Sequence, residues 1–540
     1  MYKPLIYLIS TFVLISCSQE KHQADLIITN ANIYTVNDDE AKAQAFAVKD
    51  GLFLGIGTSK EINKNYKAEK VINLEGKTVL PGLIDGHCHF YNLGIYMQTV
   101  DLTGTSSYEE VLNRISAFHK KANANFIRGR GWDQNDWKSK EYPTKEALDR
   151  LFPDTPVALT RIDGHALLVN QVALDLADID NNTVISGGEI VKKNGKITGV
   201  LVDNAMDMVQ KIIPEPSIAE KIKALQDAEA HCLELGLTTL SDAGLNIETI
   251  DLIDSLQQAD QLKIRVYAMV SANQKNLDYY LKKGIVKTDR LNVRSFKIYA
   301  DGALGSRGAA LKEPYSDREN HFGAMVTSLE DLSNIARRLA KSDFQMNTHA
   351  IGDSANSFVL KTYAKELKSR TNRRWRIEHA QVIDPDEFDY FTEIIPSVQP
   401  THATSDMYWA EDRLGPERIQ GAYAYKSLLQ INGRIVLGTD FPVERVNPML
   451  TFYAAVARKD LSGYPEGGFE MKNGLTRQET LKGMTVWAAY ANFEENEKGS
   501  IEVNKFADFV VLDQDIMQVP IDEVPHIKID GTYINGEKVY

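Results

Sequence analysis

The chain has 540 residues, 43% of them hydrophobic and 25% charged, an ordinary globular balance that excludes a disordered or fibrous protein. Its 61 basic and 74 acidic residues give a net charge of −13, which argues against non-specific attraction to nucleic acid or to an anionic membrane surface. With three cysteines it is neither a disulfide scaffold nor a cysteine-rich zinc module.

Lys3 precedes an apolar stretch, Leu5 to Ile15, too short to span a bilayer as a mature helix and typical of a signal peptide. It closes on Leu14-Ile15-Ser16-Cys17, which resembles the lipobox of bacterial lipoproteins. Residues 1–17 are therefore expected to be a lipoprotein signal peptide. Cys17 would be acylated and would hold the protein in the bacterial cell envelope, as a periplasmic or outer-membrane lipoprotein whose only membrane contact is the lipid. Residues 24–80 carry short β-branched runs, Leu26-Ile27-Ile28 and Phe46-Ala47-Val48, the latter before Asp50-Gly51. The same texture returns in 491–540, with Ala507 to Leu512 and with Thr532-Tyr533-Ile534 before Asn535-Gly536. These strand signals predict one β-sandwich assembled from both termini.

Between them, residues 81–490 alternate apolar runs with helical patterns, the signature of βα units. Eight runs stand out: Val79 to Asp85, Leu237 to Asp242, Arg265 to Val270, Arg294 to Ala300, Phe344 to His349, Trp375 to His379, Ile395 to Gln399 and Arg434 to Asp440. Eight such strands with intervening helices predict an α/β fold, a (β/α)8 TIM barrel. About 150 residues separate the first two runs, where a βα unit needs roughly 30. Residues 91–225 are therefore read as an insertion over the C-terminal mouth.

The chemistry-bearing residues end the strands. His87 and His89 follow the first run at positions i and i+2, so both imidazoles can face the barrel mouth and share one metal. His349, His379 and Asp440 end the fifth, sixth and eighth runs, and Lys297 lies inside the fourth. Four of only 11 histidines thus fall where barrel enzymes place catalysis, which points to a metal site. Cys88, between two of them, should point the other way and pack.

Pro81-Gly82-Leu83-Ile84-Asp85-Gly86-His87-Cys88-His89 with Lys297, His349, His379 and Asp440 resembles the metal-dependent amidohydrolase superfamily. The closer likeness is to the amidohydrolase family 3 branch that includes N-substituted formamide deformylases. Gly131-Trp132-Asp133, Asp163-Gly164-His165-Ala166, Lys297 to Arg307 and Gly438-Thr439-Asp440-Phe441-Pro442 extend that likeness, which runs from residue 24 to 540. The resemblance implies two divalent metals, with zinc the expected ion. His87 and His89 would hold the first, His349 and His379 the second, Asp440 would touch the first, and Lys297 would bridge both as a carboxylated lysine. The ordinary alternative for Lys297 is a salt bridge with Asp301 or Asp440. Asp440 would be the catalytic proton carrier. Trp132, Asp133 and His165 are candidates to line the substrate pocket from the insertion, His165 alternatively a capping or structural residue; Arg307 is a candidate to hold a substrate carboxylate or else an exposed loop arginine, and Asp242 to orient a ligand.

The function expected is hydrolysis of a linear, non-peptide carbon–nitrogen bond, such as an N-formyl or N-acyl amine, by a metal-bridging hydroxide. The partner is then a small amide substrate, with no nucleic acid and with a homodimer left open. Two alternatives remain. One is a mononuclear deaminase or cyclic-amide hydrolase of the same fold; the other, from a different class, is a catalytically inactive solute-binding lipoprotein. The superfamily's deaminases use a glutamate after the fifth strand and lack the bridging lysine. Here His349 is followed by Ala350-Ile351-Gly352-Asp353, and Lys297 is present.

Overall fold

The computed structural model describes residues 21–540 except 40–41, 123, 163–165, 186–187, 204, 306 and 369–371. Cys17 and His165 therefore lie outside the described residues.

Eight parallel strands form the central barrel: β1 (Leu83–Cys88), β2 (Leu237–Leu245), β3 (Arg265–Ser271), β4 (Leu291–Tyr299), β5 (Gln345–Ala350), β6 (Arg376–His379), β7 (Ile395–Val398) and β8 (Val436–Leu437). They pair in that order. Alternation along β3 shows how each strand serves two layers. Val266, Ala268 and Val270 face outward into the large core shared with the helices, whereas Tyr267 and Met269 pack inward with Ala243. Residues that alternate in this way fill a barrel centre and seal its outside at once.

The seam between β8 and β1 is closed just beyond the short β8. Asp440 N–H donates to His87 O at 2.8 Å and His89 N–H to Phe441 O at 2.8 Å. Asp85 reinforces the closure, accepting from Thr439 Oγ1 at 2.7 Å and from Thr439 N–H at 3.1 Å. Gly438 is required here, because a Cβ on it would lie 2.4 Å from His87 N. The site residues His87, His89 and Asp440 are thus fixed by the hydrogen bonds that complete the barrel.

The run expected to begin the first barrel strand divides at Gly82. Thr78–Pro81 belongs instead to the terminal sandwich, antiparallel to Phe509–Leu512, and Leu83–Cys88 alone enters the barrel. One sandwich sheet runs Leu52–Gly57, Ala45–Lys49, Leu26–Thr29, Lys70–Asn73; the other joins Asn32–Tyr34 and Thr78–Pro81 to Phe509–Leu512 and Ile529–Ile534. Phe46, Phe53 and Phe509 meet edge-on, with centroids 5.1 and 4.9 Å from Phe46, and Tyr533 stacks on Phe509 at 4.2 Å. Both ends of the chain therefore share one core.

Between β1 and β2 the insertion folds on a six-stranded mixed sheet of its own, with two apolar clusters separate from the barrel. The chain leaves the barrel by helix Phe90–Met97 and returns by helix Ile218–Glu234, which pack on each other where Gly94 meets Ala224. Among the described residues, no helix is long and apolar enough to cross a membrane.

Candidate active site

The C-terminal ends of the barrel strands enclose a cavity of about 380 Å³, lined by His89, Lys297, Tyr299, His349, His379, His402 and Asp440 at its inner end. His87 lies beneath them, fully buried. Its Nδ1 is 2.6 Å from Glu378 Oε2. A carboxylate only accepts, so Nδ1 carries the proton and Nε2 turns its lone pair to the site, the arrangement by which carboxylates orient metal-binding imidazoles. Burial alone would raise the Glu378 carboxyl, but His87, Arg376 and Lys297 hold it below its ordinary value.

Lys297 and Tyr299 on β4 share a face, as do Asn347 and His349 on β5, and the register sets Tyr299 beside His349. Lys297 Nζ is 3.0 Å from His87 Nε2 and 4.8 Å from the Tyr299 ring centroid. Burial pushes the Lys297 ammonium down to about 8, although Glu378, Asp440 and Asp242 pull the other way. No ion pair joins Lys297 to a carboxylate among the described residues. Asp301 is committed elsewhere, accepting from the N–H groups of Ala310, Ile351 and Gly352 at 2.8–3.0 Å.

Two site residues depart from regular strand geometry. His379 has φ 74° and Asp440 φ 63°, left-handed conformations that cost a non-glycine residue roughly 1–3 kcal/mol each. On β6 the pleat would send Glu378 and His379 to opposite faces. The left-handed turn at His379 instead brings its ring to 5.0 Å from that of His87 and 4.5 Å from that of His349. Asp440 Oδ1 lies 3.1 Å from His89 Nε2 and 3.6 Å from His87 Nε2, and its Oδ2 lies 3.7 Å from His402 Nε2. Burial would raise this carboxyl; contact with His89 and the surrounding imidazoles hold it well below the usual range.

The residues fit a divalent cation. His379 Nδ1 and His402 Nε2 are buried without a hydrogen-bond partner, a costly state for polar atoms that a cation would relieve, and His349 Nε2 has none nearer than Asp301 Oδ1 at 3.7 Å. Burial, and then the Lys297 charge, pushes His349 down to about 3, and burial keeps His379 well below its ordinary value. Neutral imidazoles are the form that ligates metal. His87, His89 and Asp440 form one group of potential ligand atoms within 4.8 Å of one another; His379, His402 and Asp440 form another.

Glu378 and His402 were not singled out by the sequence. Glu378 precedes a candidate ligand where alternation predicts the opposite face, and His402 sits on helix Pro400–Asp406 after β7, outside the strand-end pattern. Other expectations need correction. Trp132 does not line the cavity: it is fully buried in the insertion's core, donating from Nε1 to Leu159 O at 2.7 Å. Asp133 pairs with Arg161 at 2.6 Å within the insertion. Arg307 is held by Asp317 through bonds of 3.0 and 2.7 Å, so its guanidinium serves loop structure. No described residue of 91–225 lines the cavity. Asp242 accepts from Tyr91 N–H at 3.1 Å, anchoring the start of helix Phe90–Met97. Cys88 packs in the barrel's apolar layer.

A parallel barrel with a histidine- and carboxylate-lined mouth of this composition defines a metal-dependent hydrolase. The amidohydrolase family profile matches residues 70–540, and the chain belongs to that family. Arabidopsis thaliana protein LONG AFTER FAR-RED 3 is 33% identical, over 96% of this chain and 92% of its own length. The N-substituted formamide deformylase of Arthrobacter pascens is 25% identical, over 95% and 97%. An uncharacterized metal-dependent hydrolase from Pyrococcus horikoshii superposes with a TM-score of 0.78 at 27% identity, covering 92% of this chain and 99% of its own.

Proposed function

We propose that the protein hydrolyses the carbon–nitrogen bond of a linear amide, an N-formyl or N-acyl amine. The observation that carries this reading is the convergence of His87, His89, Lys297, His349, His379 and Asp440 on one small cavity. The similarity to a formamide deformylase over nearly the whole chain supports the choice of bond. In this reading His87 and His89 would hold one divalent cation and His349 and His379 a second, with zinc as the expected ion. Lys297, as a carbamate formed from its neutral amine and carbon dioxide with loss of a proton, would supply anionic charge to the cations; burial brings its ammonium down to about 8, which makes the neutral amine accessible. Such cations polarise a carbonyl and acidify water.

The chain's own groups do the rest. Asp440, ionised and at the barrel seam, takes the proton of the attacking water and passes it to the leaving nitrogen, which otherwise departs as too strong a base. Glu378 fixes the tautomer of His87. Leu304, Ile351 and Val443 form an apolar wall of the cavity, suited to the carbon side of an acyl or amine group.

The test is a substrate panel on a metal-quantified preparation: N-formyl, N-acetyl and longer N-acyl amines against esters, cyclic amides and aminopurines. The highest kcat/KM is expected among the linear amides; a cyclic amide or an aminopurine preferred tenfold or more contradicts the assignment. Lys297→Ala should lose nearly all activity and recover part of it with added formate or acetate. We also propose that residues 1–17 direct lipid anchoring, so that Cys17→Ala releases the protein from the membrane fraction; retention there contradicts it.

A further inference from the structure

His402 adds a fourth imidazole to the cavity. It lies one turn into helix Pro400–Asp406, most of its side chain is buried, and its Nε2 has no hydrogen-bond partner. Its ring lies nearly parallel to that of His379, with centroids 5.8 Å apart and planes at 14°. His379 Nδ1 is equally unpartnered. Leaving two imidazole nitrogens dry and unpaired beside each other costs roughly 1–3 kcal/mol apiece, and a hydrogen bond between them is not made.

Asp440 lies within reach of both residues, the three offering ligand atoms within 4.8 Å of one another. Its Oδ2 faces His402 at 3.7 Å, while its Oδ1 faces His89 at 3.1 Å and His87 at 3.6 Å. Each oxygen therefore belongs to a different group of candidate ligands, each group spanning no more than 4.8 Å. Ligand atoms about 2.0–2.2 Å from a tetrahedral cation stand roughly 3.3–3.6 Å apart, so small side-chain movements close either group onto an ion. The left-handed backbone at both His379 and Asp440 sets these two side chains in place.

We propose that His402 is a further ligand at the second cation position, beside His349 and His379, and that the Asp440 carboxylate bridges this position and the one held by His87 and His89. The bridge exists in addition to any carbamate on Lys297. This inference rests on the metal-dependent reading above and deepens it.

The experiment uses cobalt(II) reconstitution of the full chain, reading cation stoichiometry by mass spectrometry and the visible ligand-field spectrum. His402→Phe keeps a ring against His379 and removes the nitrogen; His402→Gln returns a donor atom. Wild type should hold two cations. His402→Phe should hold one, or bind the second at least tenfold more weakly, with an altered spectrum, and His402→Gln should regain part of that affinity. Thermal melting of the metal-free variants identifies any that fail to fold, and His402→Gln then carries the comparison. Two cations bound by a folded His402 variant with wild-type affinity and spectrum overturn the proposal and make His402 a substrate contact. A single cation in wild type overturns the bridge while leaving a metal-dependent enzyme; no cation in wild type removes the metal-dependent reading itself.

Discussion

Glu378 illustrates how a residue remote from substrate sets the site's chemistry. Its carboxylate, 2.6 Å from His87 Nδ1, fixes which nitrogen of His87 faces the cavity. Glu378→Gln keeps the shape but presents a weaker, ambiguous partner. It should therefore reduce cation affinity by about 10- to 100-fold, measured by competition against a chromophoric chelator; unchanged affinity would mean that the tautomer is fixed some other way. The ligand-type residues themselves were legible in the sequence, because a histidine or aspartate ending a strand in a repeated βα pattern has one place to go. Glu378 and His402 were not. The first needs a left-handed neighbour at His379 to share its face with the site, and the second approaches from a helix whose direction no local pattern fixes. Trp132 misled for the converse reason: a motif within the insertion looked like pocket lining, whereas the insertion has a core of its own to fill.

At the scale of elements, the seam between β1 and β8 encloses a buried carboxyl, Asp85. Burial pushes the Asp85 carboxyl up to about 7, although bonds from Thr439 and from the N–H groups of His87 and Thr439 favour its ionised form. In the unfolded chain the group titrates near 3.9. Because the folded value is the higher one, its contribution to stability is fully present below about 3.9 and is lost as pH rises through about 7. Metal-free wild type should therefore lose stability relative to Asp85→Asn between pH 4 and 8, by at most on the order of 4 kcal/mol, seen in denaturant titrations at several pH values. Parallel curves for the two proteins would refute this. Most barrel strands fell within a few residues of the runs read from the sequence. The exceptions are β1, which begins only after Gly82, and β8, which shrinks to Val436–Leu437 because the backbone bonds that complete the barrel, Asp440 N–H to His87 O and His89 N–H to Phe441 O, fall just beyond it.

For the molecule as a whole, barrel and sandwich are joined by a buried ion pair. Arg265, at the start of β3, donates from Nε and Nη2 to the Asp508 carboxylate at 2.6 and 2.9 Å, and Nη2 also reaches Asn535 Oδ1 at 2.6 Å. Removing one partner strands the other charge in a dry interface, so Arg265→Leu should destabilise by about 3–5 kcal/mol. Adding Asp508→Asn should recover part of that loss, because the orphaned charge is gone; chemical denaturation of the single and double variants decides. The composite sandwich was visible in the matching strand texture of both termini, but this cross-link was not, since residues 265 and 508 share no local pattern.

In the proposed function, hydrolysis of a linear amide depends on cations held at the barrel mouth. This dependence is tested most directly by stripping the purified full chain with a chelator, titrating zinc back, and following N-formyl amine hydrolysis against measured occupancy. Turnover should be absent without metal and rise with occupancy. Amide hydrolysis by fully stripped protein at the rate of the reconstituted enzyme would contradict the account.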